Sequence, residues 1–286
     1  QKRGSLLWVL DKTKTAMGAR TLRSYVEQPL IDKASIEKRL DTVEALSKKP
    51  MLRDEIREYL NPVYDLERLL GKVSFKTANP RDLIAFGNSL KMLPHIKTIL
   101  NDFETGLLPE IGQDIDPLTD ICNLIDSAII EEPPVSIREG DIIKEGFDEN
   151  VDTLRHAKTE GKNWLARLEE EDRNRTGIKN LKIKYNKVFG YYFEVTNSYQ
   201  DLVPADYIRK QTLASAERHT NQKLKELEDT ILNAEDKLTA MEYDLFCRVR
   251  DTIAGEILRI QKTAKAIAML DVYASFSVVA EWNHYV

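Results

Sequence analysis

Residues 220–251 read TNQKLKELEDTILNAEDKLTAMEYDLFCRVRD, and this stretch decides the fold. Apolar residues recur in it at alternating spacings of three and four for three heptads, which is typical of a helix that packs along one narrow seam. At about 1.5 Å per residue the helix is about 45 Å long, too long to lie buried in a globule of this size. The seam positions are Leu224, Leu227, Ile231, Ala234, Leu238, Met241 and Leu245.

A second long helix is predicted at 150–175, where Gly177 provides the stop. Its apolar stripe is also narrow, so we expect the two helices to pair along their seams as an antiparallel two-helix arm. Trp164 lies on this stripe and is interpreted as seam packing. The stripe consists of Val151, Leu154, Ala157, Trp164, Leu165 and Leu168.

Between the two helices the apolar period changes to two. Positions 181–186 alternate Leu, Ile and Tyr with Lys, Lys and Asn, and positions 191–196 alternate Tyr, Phe and Val with Tyr, Glu and Thr. Such alternation predicts two half-buried strands. Residues 186–190 join them as a short hairpin loop in which Gly190 supplies a positive φ.

Helical patterns dominate the first half of the chain. Asn79-Pro80 is a helix start, with Asn as N-cap and Pro at the first helical position. Residues 101–117 contain four Gly or Pro residues among acids and are predicted to be a surface connection. The predicted fold is therefore mainly α: a helical core (lever) body with two long antiparallel arm helices that carry a small β-rich module at their tip.

The predicted division follows from these patterns. The body takes residues 1–149, the first arm helix 150–175, the β-rich module 176–223 and the second arm helix 224–252, and residues 253–286 return to the body.

Charge sets the β-rich module apart. The 286 residues hold 42 Lys and Arg against 47 Asp and Glu, a net charge of −5, which alone gives no reason to expect a nucleic-acid partner. Residues 175–223, however, contain nine cations and four acids, so this segment carries +5 and the remainder −10. A basic module on an acidic chain suits contact with a polyanion, because phosphate neutralisation supplies most non-specific DNA affinity.

The sequence lacks the residue patterns that several classes of function require. Cys122 and Cys247 are far apart, and the four histidines have no ligand spacing, so neither a metal site nor a disulfide framework is expected and a reducing compartment fits. No G-x-x-x-x-G-K-[ST] motif and no nucleophile constellation occur, so no catalytic residue is predicted. The most apolar tract, 266–282, is interrupted by Asp271, so no membrane span is expected.

Five segments, in order, resemble the MutS family of DNA mismatch-repair proteins, with the bacterial type most similar. The sequence LDKTKTAMGARTLR at 10–23, followed by QPL, is similar to the family's L-D-x-T-x-T-x-M-G-x-R-x-L-R stretch. The other four are DLERLLG with ANPRDL, then GYY, then RKQTL leading to AER, and finally LKELED, at 65–83, 190–192, 209–218 and 224–229.

The resemblance implies the family's lever and clamp regions without its ATPase domain. The chain, which starts at Gln1 and not Met, is then expected to be a piece of a longer protein whose missing domain binds ATP and magnesium, with no cofactor of its own. Expected partners are duplex DNA and other repair proteins, with a homodimer in the full-length parent, a monomeric fragment and no membrane. Expected localisation is cytoplasmic and nucleoid-associated.

In the family the clamp closes over the DNA backbone, which implies DNA-binding residues in this β-rich module. The strand face and hairpin loop supply four of them, a basic segment expected to precede a third extended stretch supplies three, and Ser215 stands where family members often carry Lys or Asn. The candidates are Lys182, Lys184, Asn186, Lys187, Arg209, Lys210, Gln211 and Ser215.

Other interpretations stay open at this point. The lysines also fit an ordinary solvated strand face, and Asn186 also fits a turn former. His219 is interpreted as a helix-start residue in preference to a phosphate donor. A second hypothesis for the whole chain is a coiled-coil module that binds a protein partner through seam residues such as Ile231 and Leu238, without binding DNA.

Overall fold

The structure is a computed structural model that describes residues 3–285. It divides into two compact units: the helical unit, which is the described part of Gln1–Ile137 with Leu245–Val286, and the sheet unit, Arg138–Asp244. Gln1 and Val286, the outer bounds of the predicted body, lie outside the described residues. The predicted five-part division stays a prediction.

The helical unit contains nine short helices and one long helix among its described residues. They are α1 (Leu6–Leu10), α2 (Ala16–Glu27), α3 (Lys33–Lys48), α4 (Pro50–Leu60), α5 (Leu66–Ser74), α6 (Pro80–Leu90), α7 (Leu93–Leu100), α8 (Leu108–Asp114), α9 (Thr119–Ala128) and, at the end of the chain, α12 (Ile257–Asn283). The sheet unit contains α10 (Glu149–Thr176), and α11 (Gln222–Gly255) begins in it.

Helix α12 is the centre of the helical unit. It packs against α1 to α5 and α8, and Leu270, Tyr273 and Ala274 are fully buried. By length and composition alone this helix could cross a membrane, contrary to the sequence expectation, because a single Asp271 does not lower its mean hydropathy enough. Its most apolar 18-residue window is 78% buried in the structure, as in the core helix of a folded domain.

The buried Asp271 explains the sequence pattern at 10–23. Its carboxylate accepts hydrogen bonds from the Lys14 and Thr15 backbone N–H groups at 2.7–3.0 Å and from the Thr15 hydroxyl at 2.7 Å. Thr15 also caps α2 by accepting from the Gly18 N–H. A Cβ on Gly18 would overlap the Asp271 carboxylate, so only glycine permits this approach. Burial raises the pKa of Asp271, and the four hydrogen bonds oppose that rise.

Two local predictions in the helical unit have opposite outcomes. The helix start at Asn79-Pro80 is confirmed, because Asn79 and Asp82 form a reciprocal capping box at the start of α6. The surface connection at 101–117 is wrong: α8 lies within it, and Leu108 and Ile111 are buried. Pro109 does not break this helix, because it stands in the first turn of α8, where proline is tolerated.

In the sheet unit, α10 and the first part of α11 run antiparallel. Lys158 pairs with Glu235 at 3.3 Å, and Arg155, nearer the start of α10, pairs with Glu242, further along α11, at 3.0 Å. The Glu242 carboxylate is fully buried and also accepts a hydrogen bond from the Asp141 N–H. It therefore ties the loop before α10 to both helices.

Four strands follow α10: β1 (Lys182–Asn186), β2 (Gly190–Thr196), β3 (Ile208–Thr212) and β4 (Ala216–Thr220). They form one antiparallel sheet in the order β1-β2-β4-β3, so β1 and β3 are its edges. Phe193 and Val195 of β2 are fully buried against Leu165 and Leu168 of α10. The mainly α fold with a small β module, its antiparallel helix pair and both predicted strands is confirmed.

Candidate nucleic-acid interface

A buried carboxylate fixes the sheet to both helices. Asp172 of α10 accepts hydrogen bonds from the Tyr207 hydroxyl at 3.0 Å and the Asn221 amide at 3.2 Å, and pairs with Arg175 at 2.9 Å. Burial, with the adjacent Asp172 charge, raises the pKa of Tyr207 well above its ordinary range, so the hydroxyl remains a donor. Asn221 caps α11 by accepting from the Leu224 N–H. These bonds hold the sheet in one orientation on the helix pair.

The four candidates on β1 and its loop are brought together on one edge of the sheet. Lys182 and Lys187 are exposed, and their ammonium groups form no ion pair or hydrogen bond within residues 3–285. Lys184 is half-exposed and donates to Glu194 at 2.7 Å, which raises the pKa of that lysine. The side-chain amide oxygen of Asn186 accepts from the Val188 N–H at 2.8 Å, so Asn186 does form the turn.

Arg209, Lys210 and Gln211 lie within β3, so the expectation that they precede the third strand is wrong. Their side chains are long and polar, and such side chains do not signal a strand in the sequence. Only the pairing with β4 shows that these residues form one. Arg209 is exposed and pairs with Glu217 at 3.2 Å. Gln211 accepts a hydrogen bond from Arg218 at 2.7 Å.

The ammonium group of Lys210 is turned into the molecule. It donates to the carbonyl oxygens of Phe189 at 2.7 Å and Tyr191 at 3.4 Å and lies 3.8 Å from Glu228, and only 21% of the side chain is exposed. In this structure Lys210 is therefore bound to protein groups, unlike Lys182 and Lys187.

Ser215 lies apart from the hairpin loop. It is exposed in the β3–β4 turn, where its carbonyl oxygen accepts from the Asn197 N–H at 3.1 Å. The strand register puts this turn at the end of the sheet where Lys182 pairs with Glu194, and the β1–β2 loop at the other end. The predicted residues thus occupy both ends of the sheet.

The sequence candidates omitted Lys179, which is exposed and unpaired among residues 3–285. With Lys182, Lys184 and Lys187 it forms a basic edge that follows β1 and its loop. The signal was available in the sequence, because residues 173–193 contain six cations and no acid. The alternation within β1 points to positions 182 and 184. Lys179 lies in the turn before β1 and is not part of that alternation.

The outward face of the sheet is not simply polar. Tyr192, expected on the polar face, is 4% exposed because the Arg218 guanidinium lies over its ring, 4.5 Å from the centroid. A guanidinium in this position is attracted to the face of the ring. Arg218 is occupied by this stack and by Gln211, so it is not a free cation of the basic edge.

His219 is neither a helix-start residue nor a phosphate donor in this structure. It lies on β4, is 3% exposed, and packs against Tyr207 with ring centroids 5.9 Å apart. Burial lowers the pKa of His219, which favours the neutral ring. The helix begins later, at Gln222, after the Asn221 cap.

Trp164 does not pack in the seam, because its side chain is 42% exposed. It lines an open groove of about 480 Å³ between α10 and α11, together with Leu168 and Leu227. Ile231, by contrast, is 1% exposed, and the seam there is closed by Gly161 of α10. An apolar stripe shows which face of a helix is buried, but it does not fix the burial of residues at the edge of that face. Trp164 lies at the edge of the stripe of α10.

Gly161 sets the spacing of the helix pair, since a Cβ there would lie 2.5 Å from Cγ1 of Ile231. We expect Gly161→Ala to destabilise the chain by about 1 kcal/mol, because overpacking of about 1–3 kcal/mol exceeds the helix-propensity gain of up to about 1 kcal/mol. Thermal unfolding followed by circular dichroism measures this. Gly71→Ala is the control: no atom lies within 4 Å of its Cβ, so it should stabilise. A stabilising Gly161→Ala would contradict the close helix approach.

The described residues contain no group of three or more His, Cys, Asp or Glu side chains that could hold a metal ion. The arrangement offers instead a basic edge, a hairpin loop and a rigid attachment to two helices. The exposed ammonium groups of the basic edge can bind anions at the protein surface.

Comparison with known proteins gives concordant matches. A family model described as MutS domain III matches residues 1–277. The chain is 64% identical over its full length to the DNA mismatch repair protein MutS of Lachnoclostridium phytofermentans, and covers 31% of that protein. It is 54% identical to that of Ruminiclostridium cellulolyticum and 51% to that of Acetivibrio thermocellus, with 99% of the chain covered in each. The chain spans about a third of the length of these curated relatives.

Proposed function

The chain belongs to the MutS domain III family of bacterial mismatch-repair proteins, a segment distinct from the family's ATPase domain, and from that premise we propose that its sheet binds the backbone of duplex DNA. The observation that carries this proposal is the basic edge. Lys179, Lys182 and Lys187 are exposed, and among residues 3–285 their ammonium groups have no partner, while the intervening Lys184 pairs there with Glu194 alone.

Charge supports backbone contact over base recognition. Phosphates are the ligands for exposed ammonium groups that have no protein partner, and neutralising them releases counterions. Exposed ion pairs such as Lys184 with Glu194 are worth little, about 0–1 kcal/mol, so this lysine also exchanges its partner at low cost. The aromatic residues Tyr192 and Phe193 are buried, so they are not available to stack on bases.

The helix pair supports a second part of the proposal, the transmission of movement. α10 and α11 are joined by a buried seam and by the Lys158–Glu235 and Arg155–Glu242 pairs. Asp172 and Asn221 fix the sheet to the same two helices. We therefore expect the sheet and the helix pair to move as one stiff element. In a longer protein that also carries the ATPase domain, with ATP and magnesium bound there, this element would couple nucleotide state to DNA release.

Dimerisation of that longer protein, its other repair partners and a cytoplasmic, nucleoid-associated location belong to the same proposal. A dimer would bring two such sheets to one duplex, and the second contact would then be intramolecular. The isolated chain has one sheet among its described residues and should bind weakly.

The test is fluorescence anisotropy with the 286-residue chain and two labelled duplexes, one fully paired and one with a single mismatch. Backbone binding predicts equal affinities, because a mismatch leaves the phosphates in place. A clear preference for the mismatched duplex would show base reading by this segment, and absence of binding at low salt would refute the DNA proposal.

The alternative of a coiled-coil module that binds a protein through its seam is less well supported. Ile231 and Leu238 are 1% and 3% exposed, so these seam residues are already buried in the chain. A partner would have to displace this packing before it could bind there. The basic edge has no role in that alternative.

A further inference from the structure

The β1–β2 loop is a short, exposed turn at one end of the basic edge. Asn186 and Gly190 form the last pair of the two strands, which leaves three residues, 187–189, in the loop. Val188 is 81% exposed, and Lys187 is exposed and unpaired among residues 3–285. Loops of this kind are ordinarily mobile, because few contacts restrain them.

Here three side chains restrain the loop. The Asn186 side chain accepts from the Val188 N–H at 2.8 Å. On the helix side, Glu228 of α11 accepts from the Tyr191 N–H at 3.2 Å, and Gly190, at φ +70°, has no room for a Cβ beside that carboxylate. Beside Glu228, the Lys210 ammonium group donates to the carbonyl oxygens of Phe189 and Tyr191.

A bulge accounts for the reach of Lys210. The pairing of β3 with β4 shifts between Arg209 and Gln211, so Lys210 is the extra residue of the bulge. A bulge re-aims the side chain of the residue it inserts. Lys210 therefore crosses β4 to the loop that precedes β2. An ammonium group has three donors. Two of them bond carbonyl oxygens of the protein, and the Glu228 carboxylate forms an ion pair with the group at 3.8 Å.

We propose that Lys210 is a positioning residue: with Glu228 it holds the β1–β2 loop so that Lys187 meets the DNA backbone in a preformed geometry. This rests on the proposed DNA-binding function. A contact made by a preformed loop loses less conformational entropy on binding than one made by a mobile loop. Lys210 then adds to affinity through Lys187 and not through a phosphate of its own.

The role predicts coupling between two positions. Lys187→Ala and Lys210→Met should each reduce the affinity of the 286-residue chain for a short duplex by roughly fivefold, and the double variant should lose no more than the worse single variant, as for residues that act as a unit. Arg209→Met is the matched control. It removes an exposed cation of the same strand that does not touch the loop, so its effect should multiply with that of Lys187→Ala.

A second readout does not involve DNA. Hydrogen exchange of the Val188 and Tyr191 amides, followed by NMR, should accelerate in Lys210→Met and stay unchanged in Arg209→Met. Independent losses for Lys187 and Lys210 in a chain that binds DNA, or unchanged exchange of these amides, would overturn the positioning role alone. Failure of the unmodified chain to bind the duplex at low salt would overturn both this inference and the proposed function.

Discussion

Replacement of Lys179, Lys182 and Lys187 together by Glu is expected to reduce affinity for duplex DNA on the order of 100-fold at about 50 mM salt, because it removes three phosphate contacts and adds three repulsive charges. These are the cations of the basic edge that have no partner among residues 3–285. Since they hold no internal contact, the variant should fold normally. Anisotropy with a labelled duplex measures the affinity, and circular dichroism checks the fold.

The matched control carries the same change in net charge elsewhere. Lys162, Lys237 and Lys265 are exposed helical lysines, and their replacement by Glu should reduce affinity far less. Long-range repulsion acts in both variants, but direct contact is lost only in the first. Equal losses in the two triple variants would show that net charge, and not the basic edge, governs binding.

The largest expected effect on stability is at Asp271. Its replacement by Ala leaves the Lys14 and Thr15 N–H groups and the Thr15 hydroxyl without their acceptor in the core of the helical unit. An orphaned buried donor costs about 1–3 kcal/mol, so the three donors predict a loss of about 3 kcal/mol or more in the free energy of unfolding. Urea unfolding measured by circular dichroism gives this value.

Asp114→Ala provides the comparison for Asp271→Ala. The side chain of Asp114 is half-exposed and pairs with Lys262 at 2.9 Å, a surface ion pair whose loss should cost less than about 1 kcal/mol. If Asp271→Ala were as harmless as Asp114→Ala, the buried carboxylate would not be the anchor of the segment at residues 10–23.

The parts of the fold that periodicity encodes could be predicted from the sequence. The seam of α11 and the stripe of α10 have helical spacing, and the alternation in residues 181–196 is that of paired strands. The hairpin turn followed from Gly190, whose φ is +70°. Each of these features depends on neighbours in sequence, so a single chain reveals it.

The features that were missed depend on tertiary contacts. Lys210 looks like any basic residue until the β3 bulge turns it toward the loop. His219 precedes a helix in sequence but is paired with β2 in space. Asp271 appeared only as an interruption of an apolar tract, and its partners are more than 250 residues away. No local pattern records which strand pairs with which, or which loop meets a buried charge.

The central claim is that the sheet binds duplex DNA through its phosphates. The most direct measurement is the affinity of the 286-residue chain for a fully paired duplex across a salt series from about 50 to 200 mM, where three or four contacts predict a slope of log K against log salt of about −3. Triple replacement of Lys179, Lys182 and Lys187 should bring that slope to about −1 or closer to zero, because Lys184 is then the only lysine of the basic edge left. A salt-independent affinity of the unmodified chain would contradict the claim.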